Sequence, residues 1–181
     1  MKIVIKGITR ENLDDIPRPC GGCLYWEFPE DFKKLRQQKK PKLAEEKKKE
    51  RFTKTLREFG SCGKIVYLNS ASIGYAQYAP SNLFPQAFSY ESGPLGRIQE
   101  GTVFLSCLYI SEERQRGRGV GMRLLNTVIT DLRDRGFKAV ETFARRGSAN
   151  NPSGPIELYL KRGFQIKDET DAEFPLVRLE F

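Results

Sequence analysis

Residues 102–125 read TVFLSCLYISEERQRGRGVGMRLL, and the rest of the chain can be ordered around them. The first nine are mostly apolar with no alternation, which predicts a central strand buried on both faces. Three glycines and three arginines then fall within the eight residues from Arg114 to Gly121. From Val120 onward, apolar residues at 124, 125, 128 and 132 repeat at helical spacing up to Gly136, which predicts a helix that ends there. A buried strand therefore feeds a glycine-arginine turn at the mouth of a helix. Gly117, Gly119 and Gly121 permit backbone shapes that a Cβ hinders. The helix start offers unbonded N–H groups and the positive end of the helix dipole. Together these make an anion site, with a pyrophosphate as the expected guest. Arg114, Arg116 and Arg118 would add charge at its rim. The alternative is a glycine-rich loop with solvated arginines. The spacing is G-x-G-x-G, not the dinucleotide G-x-G-x-x-G, and "GSCGK" at 60–64 lacks the P-loop spacing.

Upstream, KIVIKGI (2–8) alternates as a strand, and residues 11–27 are irregular. A helix is predicted from Pro29, interrupted at Pro41 and resumed over about 42–59. KIVYLNSASIGYAQYA (64–79) reads as two strands about a tight turn. Residues 80–101 form a long loop containing Pro and Gly, of the kind often functional. Downstream, KAVETFA is a strand, PIELYLKRG a short helix with Pro at its start and Gly at its end, and FQIKDE and PLVRLEF a hairpin. The order β, α, α, β, β, β, α, β, α, β, β predicts an α/β fold with one central mixed sheet.

Read as R-x-x-G-x-G, the turn fits twice, from Arg114 and from Arg116. It resembles the acyl-CoA pyrophosphate loop of the GNAT family of N-acetyltransferases. A second block, PIELYLKRGFQI, resembles that family's helix with a tyrosine followed by Gly-Phe, and the element order agrees over residues 1–181. The resemblance implies a single GNAT-like domain with a central, mostly antiparallel sheet of about seven strands flanked by helices. It carries a basic helical segment at about 29–59. Implied too is acetyl transfer from acetyl-CoA, a co-substrate, to an amine acceptor by direct attack in a ternary complex.

By the same resemblance, backbone groups of Leu108, Tyr109 and Ile110 would pair with the pantetheine arm. The N–H near Leu108 would face the thioester oxygen. The turn from Gly117 through Arg118, Gly119, Val120, Gly121 and Met122 would hold the diphosphate. Tyr159, four residues before Gly163, would protonate the leaving thiolate; the alternative is that it only packs the short helix. Asn150 and Asn151 lie near the family's arm-contacting asparagine, slightly displaced, and a loop-capping role serves them equally well. For the base the chain offers no histidine and no carboxylate on the central strand. Glu27 and Glu100 are the residues put forward, with Glu91, Glu141 and a water chain as alternatives.

Cys20 and Cys23 in CGGC have C-x-x-C spacing, read here as small residues of a tight glycine turn. A redox pair or a zinc site with Cys62 and Cys107 are the alternatives, and no metal is expected. Cys107 as a covalent nucleophile lacks an activating base. Tyr25 and Trp26, with Phe84, Phe88 and Tyr90, suggest either an aromatic acceptor pocket or ordinary core.

Net charge is +8 over 181 residues, and residues 33–57 alone carry +9. That run reads as a solvated helix face. Contact with nucleic acid or the ribosome is the less favoured reading, since no nucleic-acid motif accompanies it. Two rival functions follow: a non-catalytic acyl-CoA-binding module, and a nucleic-acid-associated protein using the basic helix. No run of about 18 apolar residues is present, and MKIVIKGITRENLDD reads as strand and turn rather than a secretory signal. A cytoplasmic location, without membrane contact, is the expectation.

Overall fold

In the computed structural model, residues 2–147 and 151–181 are described. Seven strands form one open sheet: β1 (Ile3–Gly7), β2 (Gly63–Leu68), β3 (Ala71–Ala79), β4 (Thr102–Ile110), β5 (Ala139–Phe143), β6 (Gln165–Asp168) and β7 (Leu176–Glu180), in the spatial order β1-β2-β3-β4-β5-β7-β6. Every neighbouring pair is antiparallel except β4 and β5. Four helices flank it: α1 (Pro29–Gln37), α2 (Pro41–Glu58), α3 (Val120–Asp134) and α4 (Ile156–Lys161). The expected helix start at Pro29 and the expected interruption at Pro41 both place a proline in the first turn of a helix, where the missing N–H costs nothing.

α3 buries Val120, Leu124, Leu125, Val128, Ile129 and Leu132 against Val103, Leu105 and Leu108 of β4. Gly136, at φ +79, ends the helix in the left-handed conformation that favours glycine. The other face packs Phe52 of α2 and Trp26 of the irregular segment against Tyr75, Phe104, Cys107 and Phe143. β4 is thus covered on both sides, as its composition requires.

Two irregularities in β4 shape the site. Gln77 pairs with Cys107 but Tyr78 with Leu105, so Ser106 is the extra residue of a bulge, its hydroxyl donating to the Gln77 carbonyl at 3.2 Å. On the opposite edge, β5 pairs with β4 only from Thr102 to Phe104. Beyond Phe104 the two parallel strands diverge, and the last residues of β4 leave their β5-facing edge without a strand partner.

Candidate functional site

The gap left by that divergence is a cleft of about 540 Å³. Leu108, Tyr109, Ile110 and the turn before α3 form one wall, and Asn151, Gly154, Pro155 and α4 the other. Gly117 (φ +71) and Gly119 (φ +80) are both left-handed, and an added Cβ would meet no neighbour at either, so the need for glycine is one of backbone shape. Gly121 differs from the expectation: it is an ordinary helical residue of α3. The first helical bond, Arg123 N–H to Gly119 O at 3.0 Å, leaves the N–H groups of Val120, Gly121 and Met122 without acceptors inside the helix. They open at the cleft, where Gly121 and Met122 line the wall.

The three arginines divide. Arg114 and Arg118 are exposed, free to meet an anion. Arg116 turns inward: its Nε donates to the Ile110 carbonyl at 2.8 Å, and its guanidinium lies 5.3 Å from the Tyr109 ring centroid. It therefore ties the turn to β4 while still lining the cleft, the one of the three arginines to do so.

Strand alternation directs the backbone groups of Leu108 and Ile110 into the gap, since Ser111 N–H donates to Ile73 O beside β3 at 2.8 Å while Leu108 N–H points the other way, to Pro152 O. The Ile110 carbonyl is taken by Arg116. The Leu108 N–H donates to the Pro152 carbonyl at 2.7 Å. The Leu108 carbonyl and the Ile110 N–H are the groups left facing the cleft.

Tyr159 is fully buried, and its hydroxyl donates to the Ser153 carbonyl at 2.6 Å. Burial pushes its pKa above the usual phenol value, so the group holds its proton. It stands behind the 152–154 backbone and is not part of the cleft wall. Asn151 lines the cleft, while its side-chain oxygen accepts from Ser153 N–H at 2.9 Å. Asn150 lies outside the described residues.

The carboxylates separate clearly. Glu100 is exposed and accepts from the Arg97 N–H at 3.2 Å. It precedes β4, whose first residue, Thr102, is already about 20 Å from Leu108 at roughly 3.3 Å per strand residue, so the structure does not bring it to the cleft. Glu91 is exposed in the long loop. Glu141 is buried but committed, 2.7 Å from both Arg178 and the Gly96 N–H. Glu27 is only 2% exposed. Its Oε1 accepts from Lys48 Nζ at 2.5 Å and from Gln77 Nε2 at 2.6 Å, while Oε2 has no partner among the described residues. Gln77 pairs across the sheet with Cys107, so Glu27 lies one strand over from the residue preceding Leu108. The Glu27–Lys48 pair escaped the sequence reading, although one signal for it exists. Lys48 stands four residues before Phe52, on the same buried stripe of α2.

Cys20 opens a tight turn, Cys20–Gly22. Burial pushes the Cys20 and Cys62 thiols up to about 12 and that of Cys107 well above its ordinary value. These are protonated core thiols, poor nucleophiles and poor metal ligands. Among the described residues no cluster of His, Cys, Asp or Glu suits a metal ion. The aromatic residues are mostly core. Tyr90 stacks between Phe143, at 4.4 Å, and Trp26, at 5.5 Å, while Phe84 is buried and Phe88 is exposed.

Comparison with known proteins accords with this geometry. The profile of the acetyltransferase (GNAT) family matches residues 23–164. No curated protein matches the sequence significantly. Solved structures do match in fold. PaiA N-acetyltransferase from Thermoplasma acidophilum, in complex with coenzyme A, superposes with a TM-score of 0.64 at 15% identity, over 100% of both chains. An N-acetyltransferase from Staphylococcus aureus Mu50 gives 0.61 at 16%, over 100% of this chain and 98% of that one. A ribosomal-protein-alanine N-acetyltransferase from Brucella melitensis gives 0.56 at 17%, over 98% and 99%.

Proposed function

Because the chain belongs to the acetyltransferase (GNAT) family, we propose that the cleft between β4 and α4 is its acetyl-CoA site and that an acceptor amine attacks the thioester there directly. The activity is transfer of an acetyl group from acetyl-CoA to an amine. The observation that carries the site assignment is the divergence of β4 from β5 beyond Phe104, opposite the open N–H groups that begin α3.

The residues fit such a ligand. Main-chain donors from Gly117 to Met122 suit a diphosphate, and exposed Arg114 and Arg118 add charge that salt would screen. The Leu108 carbonyl and the Ile110 N–H suit an extended amide-bearing arm, which adds to the edge as a strand would. The Leu108 N–H, bonded to the Pro152 carbonyl in this structure, becomes the donor for the thioester oxygen when that carbonyl gives way. As the amine attacks, that oxygen gains negative charge, and a fixed donor stabilises it more than the ground state. The carbon–sulfur bond then breaks, and the Tyr159 hydroxyl, which holds its proton and bonds the Ser153 carbonyl in this structure, gives that proton to the departing sulfur once the carbonyl moves aside. Of the acids considered, Glu27 is the one we assign to the acceptor side. It follows Trp26 of the cluster packed on the sheet face away from α3, with one oxygen unpartnered among the described residues, and takes the ammonium proton through a water chain in this reading.

We read residues 1–181 as one catalytic unit. Four unpaired thiols suit a reducing compartment such as the cytoplasm, and no helix among the described residues is long and apolar enough to cross a membrane. The basic α1–α2 face we read as solvated, and we favour acetyl-CoA and an amine over nucleic acid as partners. The test is calorimetry with coenzyme A, followed by an amine panel scored by free-thiol release above hydrolysis. Heat of binding with thiol release for at least one amine is expected. Absence of binding by folded protein overturns the assignment, and binding without transfer to any amine favours a non-catalytic acyl-CoA module.

A further inference from the structure

Two donors on different elements converge on one dipeptide. The Leu108 N–H, from β4, donates to the Pro152 carbonyl at 2.7 Å. The Tyr159 hydroxyl, from α4, donates to the next carbonyl, Ser153, at 2.6 Å. These are the two groups assigned above to the thioester oxygen and to the departing sulfur. Among the described residues no other backbone carbonyl receives either of them, and the two that do belong to consecutive residues. We infer that Pro152–Ser153 is an internal stand-in for the acyl thioester: it holds the two donors aimed at the reacting position, and acetyl-CoA seats its acyl end by exchanging with it. This rests on the acetyl-CoA reading of the cleft.

The way the segment is fastened supports exchange over permanent closure. Its downstream end is pinned: Arg145 N–H donates to Gly154 O at 2.8 Å, and Ile156 N–H to Arg145 O at 2.9 Å, forming a bridge between Arg145 and Pro155. Upstream it is a local turn about Asn151, whose carbonyl and side-chain oxygen accept from Gly154 and Ser153. Against β4 the dipeptide has, among the described residues, the single backbone bond to Leu108. A carbonyl can leave that N–H at little net cost when another carbonyl replaces it, because the donor is never left unpaired. Gly154 sets the fit. Its φ is +73, and an added Cβ would lie 2.9 Å from the Tyr159 hydroxyl. A larger residue there is both strained and in collision, so the dipeptide reaches the phenol only because position 154 is glycine. Pro152 and Gly154 in NPSGP thus acquire a role that spacing alone did not reveal. They are positioning residues, since they act through Leu108 and Tyr159.

The test measures affinity for acetyl-CoA in the absence of any amine, and turnover, separately in two variants of the full chain. Gly154→Ala unseats the dipeptide sterically, and Tyr159→Phe removes its bond to Ser153. In both, the dissociation constant for acetyl-CoA is expected to fall about fivefold, the equivalent of one hydrogen bond no longer broken on binding. Tyr159→Phe is expected at the same time to lose turnover at saturating acetyl-CoA, so affinity and rate move in opposite directions. A purely structural tyrosine would weaken both. If the parent binds acetyl-CoA and transfers acetyl groups, yet every folded variant binds no more tightly, the stand-in is overturned while the cleft assignment stands. If the parent itself binds no coenzyme A, the cleft assignment falls and the stand-in with it. Should Gly154→Ala fail to fold, Tyr159→Phe alone decides.

Discussion

Arg116 donates its Nε to the carbonyl of Ile110 at 2.8 Å, closing the turn that joins β4 to α3 back onto the strand it leaves. The guanidinium also covers the Tyr109 ring and bonds the Tyr109 hydroxyl at 3.1 Å. A residue that sequence spacing puts at a phosphate rim is therefore one that sets where the rim lies.

The Arg116→Ala variant is expected to raise KM for acetyl-CoA about tenfold, because the turn loses its tie and the N–H groups beyond it lose their aim. Arg116→Lys should fare little better, since an ammonium lacks the planar fork that reaches both Ile110 and Tyr109. Steady-state kinetics with acetyl-CoA varied check this; an unchanged KM in both variants would refute it.

The glycines of the turn should separate by conformation. Gly119→Ala forces an L-residue into a left-handed backbone at a cost of about 1–2 kcal/mol. Gly121→Ala adds a methyl within ordinary contact distance of Leu158, at 3.9 Å, on helical backbone, and should leave stability within about 0.5 kcal/mol of the parent. Urea unfolding of the two variants side by side measures the difference.

Lys48 and Glu27 are each 2% exposed. Removing one partner leaves the other charged in the core, and Lys48→Met alone should cost about 3–5 kcal/mol. The double variant Glu27→Gln with Lys48→Met removes both charges and should recover much of that loss. A double-mutant cycle in denaturant shows whether the coupling exists; additive losses would mean that the pair contributes nothing as a pair.

Asp131 on α3 gives a pH dependence of definite sign. Burial raises its pKa, but hydrogen bonds from Lys64 and Tyr78, with the charges of Lys64 and Arg135, outweigh burial and hold it below the ordinary carboxylate value. Its folded pKa is thus lower than its unfolded one. The stability it contributes is fully present above the unfolded value of about 4, and is lost as pH falls through the folded value. The melting temperature of the parent should fall on acidification through that range. Asp131→Asn should start lower at neutral pH and follow a flatter curve below about pH 4.

Much of the scaffold is readable in one dimension because it depends on local period and punctuation. The buried residues of α3 are the ones its spacing selects, both helix breaks fall at prolines, and the unalternating TVFLSCLYI is the strand with covered faces. The site divides along another line. Backbone features such as the left-handed Gly117 and Gly119 follow from residue type. Side-chain destinations do not: nothing local in RQRGRG says that the middle arginine folds back on Ile110 while its neighbours face water. The Glu27–Lys48 and Tyr75–Gln77 bonds form a network spanning α2 and β3, and Glu100 precedes the start of β4 while Leu108 lies near its end. Separations of that kind appear only when the elements are packed.

Trp26 is the sole tryptophan of the chain, and its indole stacks on Tyr90 at 5.5 Å and 20°. Tyr90 belongs to the long connection before β4 and lies against Phe143 on its other side. Any shift of that connection changes what the indole touches, so ultraviolet emission from unlabelled material carries a built-in optical readout of this region, with no second fluorophore of its kind to confuse the signal.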